Sequence, residues 1–146
     1  MKIELKLDES CTEPRIIIIA KEKTEEIFKI MEILSSNMPP GIVGFDGSSA
    51  ILLDPTHIVR IYAAVGKVFA VTEKKEYTLH LRLYEVEEKL NRSSFVRISN
   101  SEIINIKRAK KFDLSIAGTI CVSLSNGDVS FVSRRYVTKI KKTLGI

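Results

Sequence analysis

The residues best suited to chemistry in this chain are two adjacent arginines, Arg134 and Arg135, which follow Ser133. An apolar stripe continues at helical spacing through Val137, Ile140 and Leu144. This pattern predicts a short helix with Ser133 at its N-cap and Gly145 just past its end. The two guanidinium groups then share the first turn with free backbone N–H groups, where anions are favoured. We predict a phosphate or base-edge site, the alternative being two solvent-exposed arginines.

The charge of the chain is divided unevenly along its length. The net charge is +5 over 146 residues, but the last 58 carry twelve Lys or Arg and three Asp or Glu. The first 88 carry eleven basic and fifteen acidic residues. A basic half joined to an acidic half indicates a polyanionic partner for the C-terminal half. Lys139 extends this charge, and a basic run at 107–111 serves either phosphate contact or a solvated strand edge.

Motifs for catalysis or for metal binding are missing from the sequence. No phosphate-binding glycine loop occurs, and His57 and His80 have no cysteine or carboxylate at a catalytic or metal-binding spacing. Cys11 and Cys121 form no CxxC pair. We therefore expect no enzyme activity, no cofactor, no metal and no small-molecule substrate. The N-terminus does not resemble a signal peptide, and the longest aliphatic run, at 16–20, is too short to span a bilayer, so we expect a cytoplasmic protein.

Residues 1–40 are predicted to form a small strand–strand–helix appendage. Apolar residues alternate with polar ones at 3–7, an aliphatic run occupies 16–19, and helical spacing covers 22–35. Ser, Asn, Pro and Gly at 35–41 form the best linker candidate. Residues 41–146 would then be the main domain.

The main domain is predicted to be mostly β, an antiparallel α+β fold with two short helices. Short apolar or alternating runs separated by turn residues predict the strands 41–45, 49–53, 57–65, 67–73, 76–81, 95–98, 102–106, 108–116, 119–124 and 128–132. One helix is expected over 82–90 and the other after Ser133. Gly118 indicates a tight hairpin, and Asn126-Gly127 is the signature of a type I′ turn.

Three segments in this order resemble the LytTR DNA-binding domain. They are the segment 95–105, beginning Phe95-Val96-Arg97-Ile98-Ser99-Asn100-Ser101, then the Asn126-Gly127 hairpin, then Val132-Ser133-Arg134-Arg135-Tyr136. The run at 61–67 resembles an earlier strand and loop of the same family. The resemblance covers about 42–146, and the whole chain is similar to the short stand-alone LytTR regulators of Gram-positive bacteria.

The resemblance implies a β-rich fold whose loops enter successive major grooves of duplex DNA. By position, Asn100 and Arg135 match the DNA-contacting residues of the family, and Lys67 or its neighbour matches a third contact. Ala63 departs from the family, which often carries an acidic residue there.

The side-chain chemistry agrees with these positions. Asparagine can pair with an adenine edge and arginine with guanine, although Asn100 could instead be a turn residue bonded to its own backbone. Arg97 alternates with apolar residues, so we expect it to face outward beside Ser99 and Asn100. Phosphate contact and a salt-bridge role are both open for Arg97.

The leading hypothesis is a sequence-specific regulator of transcription that binds double-stranded DNA. The alternative is a protein-interaction module in which 1–40 binds a partner, such as a membrane-bound regulatory protein. The same segment could instead pair strands in a homodimer. RNA binding is a weaker hypothesis, because the strands lack paired exposed aromatic residues. Residues 1–40 are too few for a receiver domain, so we expect no control by aspartate phosphorylation.

Overall fold

The computed structural model describes residues 1–36 and 41–146. The chain divides into two compact units, Met1–Asn37 and Met38–Ile146. Most of the predicted linker, 37–40, lies outside the described residues.

Among the described residues of the first unit, 1–36, there is one helix, α1, Glu25–Ser36. Two acidic residues, Glu25 and Glu26, lie in its first turn, where they suit the helix dipole. The two strands predicted at 3–7 and 16–19 do not form in the single chain, since the described residues before α1 contain no strand. An alternating pattern determines which side chains share a face, but a strand also needs a hydrogen-bonded neighbour. The described part of this chain does not provide one.

The second unit is built on a seven-stranded antiparallel sheet with the order β2-β1-β5-β4-β3-β7-β6. Its strands are β1 Ile42–Asp46, β2 Ser49–Leu53, β3 Ile58–Ala64, β4 Lys67–Thr72, β5 Glu76–Leu79, β6 Phe95–Ser99 and β7 Glu102–Asn105. Helix α2, Leu83–Lys89, joins β5 to β6.

A second sheet of three antiparallel strands follows in the order β10-β9-β8. These strands are β8 Ala109–Asp113, β9 Ile120–Leu124 and β10 Val129–Val132. Helix α3, Arg134–Leu144, ends the second unit, with Gly145 in the left-handed conformation at its C-terminus. The mostly β, antiparallel fold with two short helices in this unit is confirmed.

Two hydrophobic cores lie on opposite faces of the central strands. Adjacent residues of β7 separate between them: Ile103 belongs to the core that contains α2, and Ile104 to the core that contains the second sheet and Ile140 of α3. The same division separates Ile58 from Val59 in β3. Because successive strand residues point to opposite faces, burial on both faces produces nearly continuous apolar runs. The strands therefore form the middle layer of a three-layer unit.

The turn prediction at Asn126-Gly127 is wrong in detail. A type I′ turn needs positive φ at both central residues, but only Gly127 has it, with φ 91°. Gly127 N donates to Leu124 O at 3.0 Å, and Asn126 Oδ1 accepts from Asp128 N at 3.0 Å. Asn126 was expected to adopt positive φ. Its φ is not positive, and its side chain instead accepts a hydrogen bond from the backbone of Asp128. The Gly118 connection is also longer than predicted, since β8 already ends at Asp113.

Candidate nucleic-acid interface

Three connections converge at one end of the seven-stranded sheet. The β3–β4 turn meets the β6–β7 turn through Ala63 N, which donates to Ser101 O at 2.8 Å. The start of α3 meets β6 through Ser133 N, which donates to Ile98 O at 2.9 Å. We call this combined surface the loop surface, and it consists of Val65, Gly66, Lys67, Ser99, Asn100, Ser101, Ser133, Arg134 and Arg135. The structure thus brings together every predicted site residue except Arg97, which lies beneath it, and Lys139, further along α3.

The first connection of the loop surface is a two-residue turn with an unusual backbone. Both Val65 and Gly66 have positive φ, 52° and 71°. These values match a type I′ hairpin turn, which usually carries Asn-Gly. Positive φ in a β-branched residue is strained, and strain of this kind clusters at functional sites. Val65 is 97% exposed and Lys67 follows it at the exposed start of β4. The sequence did not suggest this turn type, because valine is not a turn residue.

We expect Val65→Asn to stabilise the second unit by about 1 kcal/mol, because asparagine tolerates the left-handed conformation. Urea unfolding of the full chain measures this change. Gly66→Ala is the matched contrast and should destabilise, since alanine would have to adopt φ 71°. A loss of stability in Val65→Asn would show that Val65 is not strained.

The second connection, the β6–β7 turn, is held by Arg97. Its Nε donates to Ser99 O at 2.7 Å and its Nη2 donates to Asn100 O at 2.6 Å. Its Nη1 pairs with the carboxylate of Glu87 in α2. The Arg97 side chain is only 16% exposed, so it is more buried than the predicted outward orientation implied. Arg97 thus binds two carbonyl groups of the turn that presents Asn100.

Asn100 is exposed at the tip of this turn and contacts α3. The hydroxyl of Tyr136 donates to Asn100 Oδ1 at 3.3 Å. The ring of Tyr136 packs against the core below α3. This contact orients the amide of Asn100 through its oxygen and does not use the Nδ2 donors. Ser99 contributes locally, since its Oγ accepts from Ser101 N at 3.2 Å.

The third connection is the first turn of α3. Ser133 occupies the N-cap position, but its hydroxyl makes no capping hydrogen bond. Arg134 and Arg135 are both exposed. Arg134 lies across Gly118, where an added Cβ would be 3.1 Å from its Nε. No acidic residue lies in this turn to neutralise the arginines or the helix dipole. The turn therefore presents concentrated positive potential.

Lys139 lies away from the loop surface, in a cleft between α3 and the α2–β6 region. Glu87, Arg92 and Arg97 line the same cleft. Arg92 was not singled out from the sequence, because its approach to Lys139 depends on how α3 packs. Together Arg92 and Lys139 place two cations beside the Glu87–Arg97 pair.

The basic run at 107–111 divides into structural and exposed members. Arg108 is engaged within the unit, since its Nη2 donates to Thr56 O at 2.7 Å and its Nη1 lies 3.5 Å from Glu73. Lys107, Lys110 and Lys111 are exposed.

A polar network behind the β6–β7 turn was not predictable from sequence spacing. Arg60 Nε lies 2.9 Å from Asp128 Oδ2, and Arg60 Nη1 lies 3.7 Å from Glu102 Oε1. Ser130 donates to the other oxygen of Glu102. Burial raises the pKa of the Glu102 carboxyl, an effect that the Ser130 hydrogen bond opposes. The network joins β3 and β7 of the first sheet to the β9–β10 hairpin of the second.

We expect Asp128→Asn to destabilise the second unit by about 0.5–1 kcal/mol at neutral pH, a value reduced for solvent screening. The hydrogen bond from Arg60 lowers the pKa of Asp128. The contribution of its carboxylate is therefore present above the usual aspartate pKa of about 3.9 and is lost as the pH falls through the lowered value. Urea unfolding of both proteins from pH 7 to pH 3 should show the difference shrinking on acidification. A difference independent of pH would contradict this assignment.

Two further features bear on the class of site. Among residues 1–36 and 41–146, no group of three His, Cys, Asp or Glu side chains is arranged to hold a metal ion. Within the same residues, no helix is long and apolar enough to cross a membrane.

Comparison with known proteins identifies relatives of both the sequence and the fold. The sequence profile of the LytTr DNA-binding domain family matches residues 48–145. Two Staphylococcus aureus proteins, from strains NCTC 8325 and MW2, are each 29% identical over 147 residues and are named HTH-type transcriptional regulators. Each alignment covers 100% of this chain and 99% of the relative. A solved LytTr DNA-binding domain from Bacillus cereus superposes with a TM-score of 0.70 at 24% identity, covering 73% of this chain and 98% of that one.

Proposed function

Because this chain belongs to the LytTR DNA-binding domain family, we propose that it is a sequence-specific regulator of transcription whose loop surface enters successive major grooves of duplex DNA. The observation that carries the proposal is the convergence of three exposed connections at one end of the sheet, through the hydrogen bonds of Ala63 and Ser133. The relatives' name indicates a helix–turn–helix. In the described part of this chain, strands separate every pair of helices. The proposed reading elements are therefore loops and one helix start.

Asn100 is the proposed reader of an adenine edge. Such readout needs an acceptor for the adenine N6 amino group and a donor for N7. Tyr136 fixes the amide through Oδ1, which keeps a second lone pair for the base. Nδ2 can then donate to N7. The bonds of Arg97 to Ser99 O and Asn100 O support this geometry by holding the turn before DNA arrives.

Arg135 is the proposed reader of guanine, and Ser133, Arg134 and the N-terminus of α3 are proposed to bind the phosphate beside it. A guanidinium fork matches guanine O6 and N7. Arg134 packs across Gly118, which suits a fixed cation beside the backbone. Free N–H groups at the start of a helix add a second anion-binding element.

The β3–β4 turn is the proposed third contact, through Val65 and Lys67. Val65 exposes an apolar side chain at the tip, which suits contact with a thymine methyl group. Lys67 suits a phosphate. At Ala63, where the family often has a carboxylate, the methyl side chain makes no hydrogen bond, but the backbone N–H donates to Ser101 O. That bond supports the turn without an acidic side chain.

Lys139 and Arg92 are proposed to contact phosphates outside the reading surface.

The proposed function is binding, without a catalytic step or cofactor. Access to a bacterial chromosome implies a cytoplasmic protein.

The test is fluorescence anisotropy of the full chain against its own upstream duplex and a shuffled duplex, over a series of salt concentrations. A preference of about 10³-fold or more for one duplex is expected of a specific regulator. Equal binding to both, with a steep salt dependence, would reduce the proposal to a phosphate-binding surface. No binding to either would contradict it.

A second function, protein contact through the first unit, is favoured by its exposed aliphatic side chains. Ile3, Leu5 and Leu7 are each 86–88% exposed. A regulatory protein, including a membrane-bound one, could cover them and control DNA binding. Deletion of 1–40 tests this function: unchanged DNA affinity together with unchanged regulation in cells would exclude it.

A further inference from the structure

The first eight residues combine exposed aliphatic side chains with alternating charges. Ile3, Leu5 and Leu7 are 88%, 87% and 86% exposed. The residues between and beside them are Lys2, Glu4, Lys6 and Asp8. Lys2 Nζ lies 2.7 Å from Glu4 Oε1, so these two charged side chains share one side of the segment. One side is thus charged and the other aliphatic, as in a strand whose neighbour is missing.

We propose that residues 2–8 pair with residues 2–8 of a second copy of this chain, as antiparallel strands centred on Leu5. A two-fold axis through Leu5 places each residue opposite one whose number, added to its own, gives ten. On the aliphatic face, Leu5 meets Leu5 of the second copy and Ile3 meets Leu7 of the second copy. On the charged face, Glu4 meets Lys6 of the second copy and Lys2 meets Asp8 of the second copy. Every opposite pair is therefore either aliphatic or of opposite charge.

Charge selects this register over its neighbours. Facing residues of an antiparallel pair share a face, so the aliphatic side remains continuous only if the pairing shifts by an even number of residues. A pairing centred on Glu4 sets Glu4 against Glu4 and Lys2 against Lys6. A pairing centred on Lys6 sets Lys6 against Lys6 and Glu4 against Asp8. Like charges directly opposite are destabilising. Of these three registers, only the one centred on Leu5 has no repulsive pair.

Such a dimer needs further apolar surface to bury, and the first unit contains it. A two-stranded ribbon alone is marginally stable in water. The run 16–19 offers four isoleucines, of which Ile16, Ile17 and Ile19 are 67%, 66% and 93% exposed. One such run from each chain can cover the aliphatic face, which accounts for the strand-like pattern of both segments. Self-association is measured as mass in the absence of DNA, so a failure to dimerise is distinguishable from a failure to bind DNA.

The test is sedimentation equilibrium of the full chain and of variants with altered charges. The unaltered chain should have the mass of two chains. Glu4→Lys and Lys6→Glu should each raise the dimer Kd by roughly tenfold or more, because each turns two attractive cross-strand pairs into repulsive ones. The double variant E4K/K6E should recover the original Kd, since its pairs are again of opposite charge. Lys21→Glu makes the same charge change as Lys6→Glu but lies outside the pairing, so it should leave the Kd unaltered.

Mixing the two single variants gives the sharpest result. The pairing predicts that Glu4→Lys and Lys6→Glu chains associate with each other more tightly than either does with itself, because every facing pair between them is attractive. A single-chain mass for the unaltered protein would overturn the proposal and favour a different protein as the occupant of this segment. A dimer Kd that none of these charge changes alters, or that the double variant does not restore, would overturn the register and locate the interface elsewhere.

Discussion

Arg135→Ala is expected to weaken binding to the cognate duplex by roughly tenfold to a hundredfold, equivalent to about 1–3 kcal/mol, and to relax the preference at one base pair. The reason is that a guanidinium fork on guanine contributes both affinity and discrimination. Arg135 is exposed in the first turn of α3, so its removal leaves no cavity. Anisotropy titrations on the cognate duplex and on duplexes with single base changes measure both effects.

The control for Arg135 is Arg15→Ala, which removes the same charge from an exposed position of the first unit. It should change affinity little. Arg134→Ala is the informative comparison, because Arg134 is proposed to bind phosphate. This substitution should weaken binding to cognate and random duplexes alike and reduce the salt dependence by about one counterion. If Arg135→Ala behaves like Arg134→Ala, both arginines bind phosphate and guanine readout is excluded.

Arg97→Met is expected to have the second large effect, although Arg97 does not lie at the tip of a loop. Its removal deletes bonds to Ser99 O, Asn100 O and Glu87. Charge-assisted hydrogen bonds of this kind contribute about 1.5–3 kcal/mol, so we expect a comparable loss of unfolding free energy. Release of the β6–β7 turn should also weaken cognate binding about tenfold or more, because Asn100 is no longer held in place. Urea unfolding and anisotropy below the unfolding temperature measure the two effects.

Two readouts separate this positioning role of Arg97 from direct phosphate contact. A positioning residue leaves the salt dependence of binding unaltered, whereas loss of a phosphate contact lowers its slope by about one. Glu87→Gln is the matched control, since it removes the ion pair but leaves both carbonyl bonds of Arg97. It should destabilise the unit modestly and keep DNA affinity. A lower slope in Arg97→Met with intact stability would assign Arg97 to phosphate.

Local features of the second unit were predictable where one short segment contains the whole signal. The N-cap serine, the apolar stripe and the terminal glycine of α3 lie within thirteen residues, and the helix forms at Arg134–Leu144. The strands were predictable for the same reason, because period-2 alternation and short continuous apolar runs are both local patterns. The segment 3–7 alternates as clearly and 16–19 is an equally clear aliphatic run, but neither forms a strand in the described residues of the single chain. Alternation of apolar and polar residues shows which side chains share a face. A strand forms only where a neighbouring backbone supplies its hydrogen bonds.

Turn geometry shows the limit of local reasoning more finely. Asn126-Gly127 has the preferred sequence for a type I′ turn, but the Asn126 side chain bonds the backbone and only Gly127 has positive φ. Val65-Gly66 lacks the preferred sequence and still adopts positive φ at both residues. The pairing of Ala64 with Lys67 in the flanking strands leaves two residues to reverse the chain. The strand register therefore overrides the preference of valine.

The sequence by itself determined the class of this protein: a mostly antiparallel fold, a basic C-terminal half, and a Ser-Arg-Arg start to its last helix. These are properties of composition and of short-range periodicity. Only the tertiary structure decided which residues meet. Arg97 holds the turn that presents Asn100. Tyr136 bonds Asn100 from 36 residues away in the sequence, and Arg60 pairs with Asp128 from 68 residues away. Such contacts depend on the order of strands in the sheet and on how α3 packs against it, which no local pattern specifies.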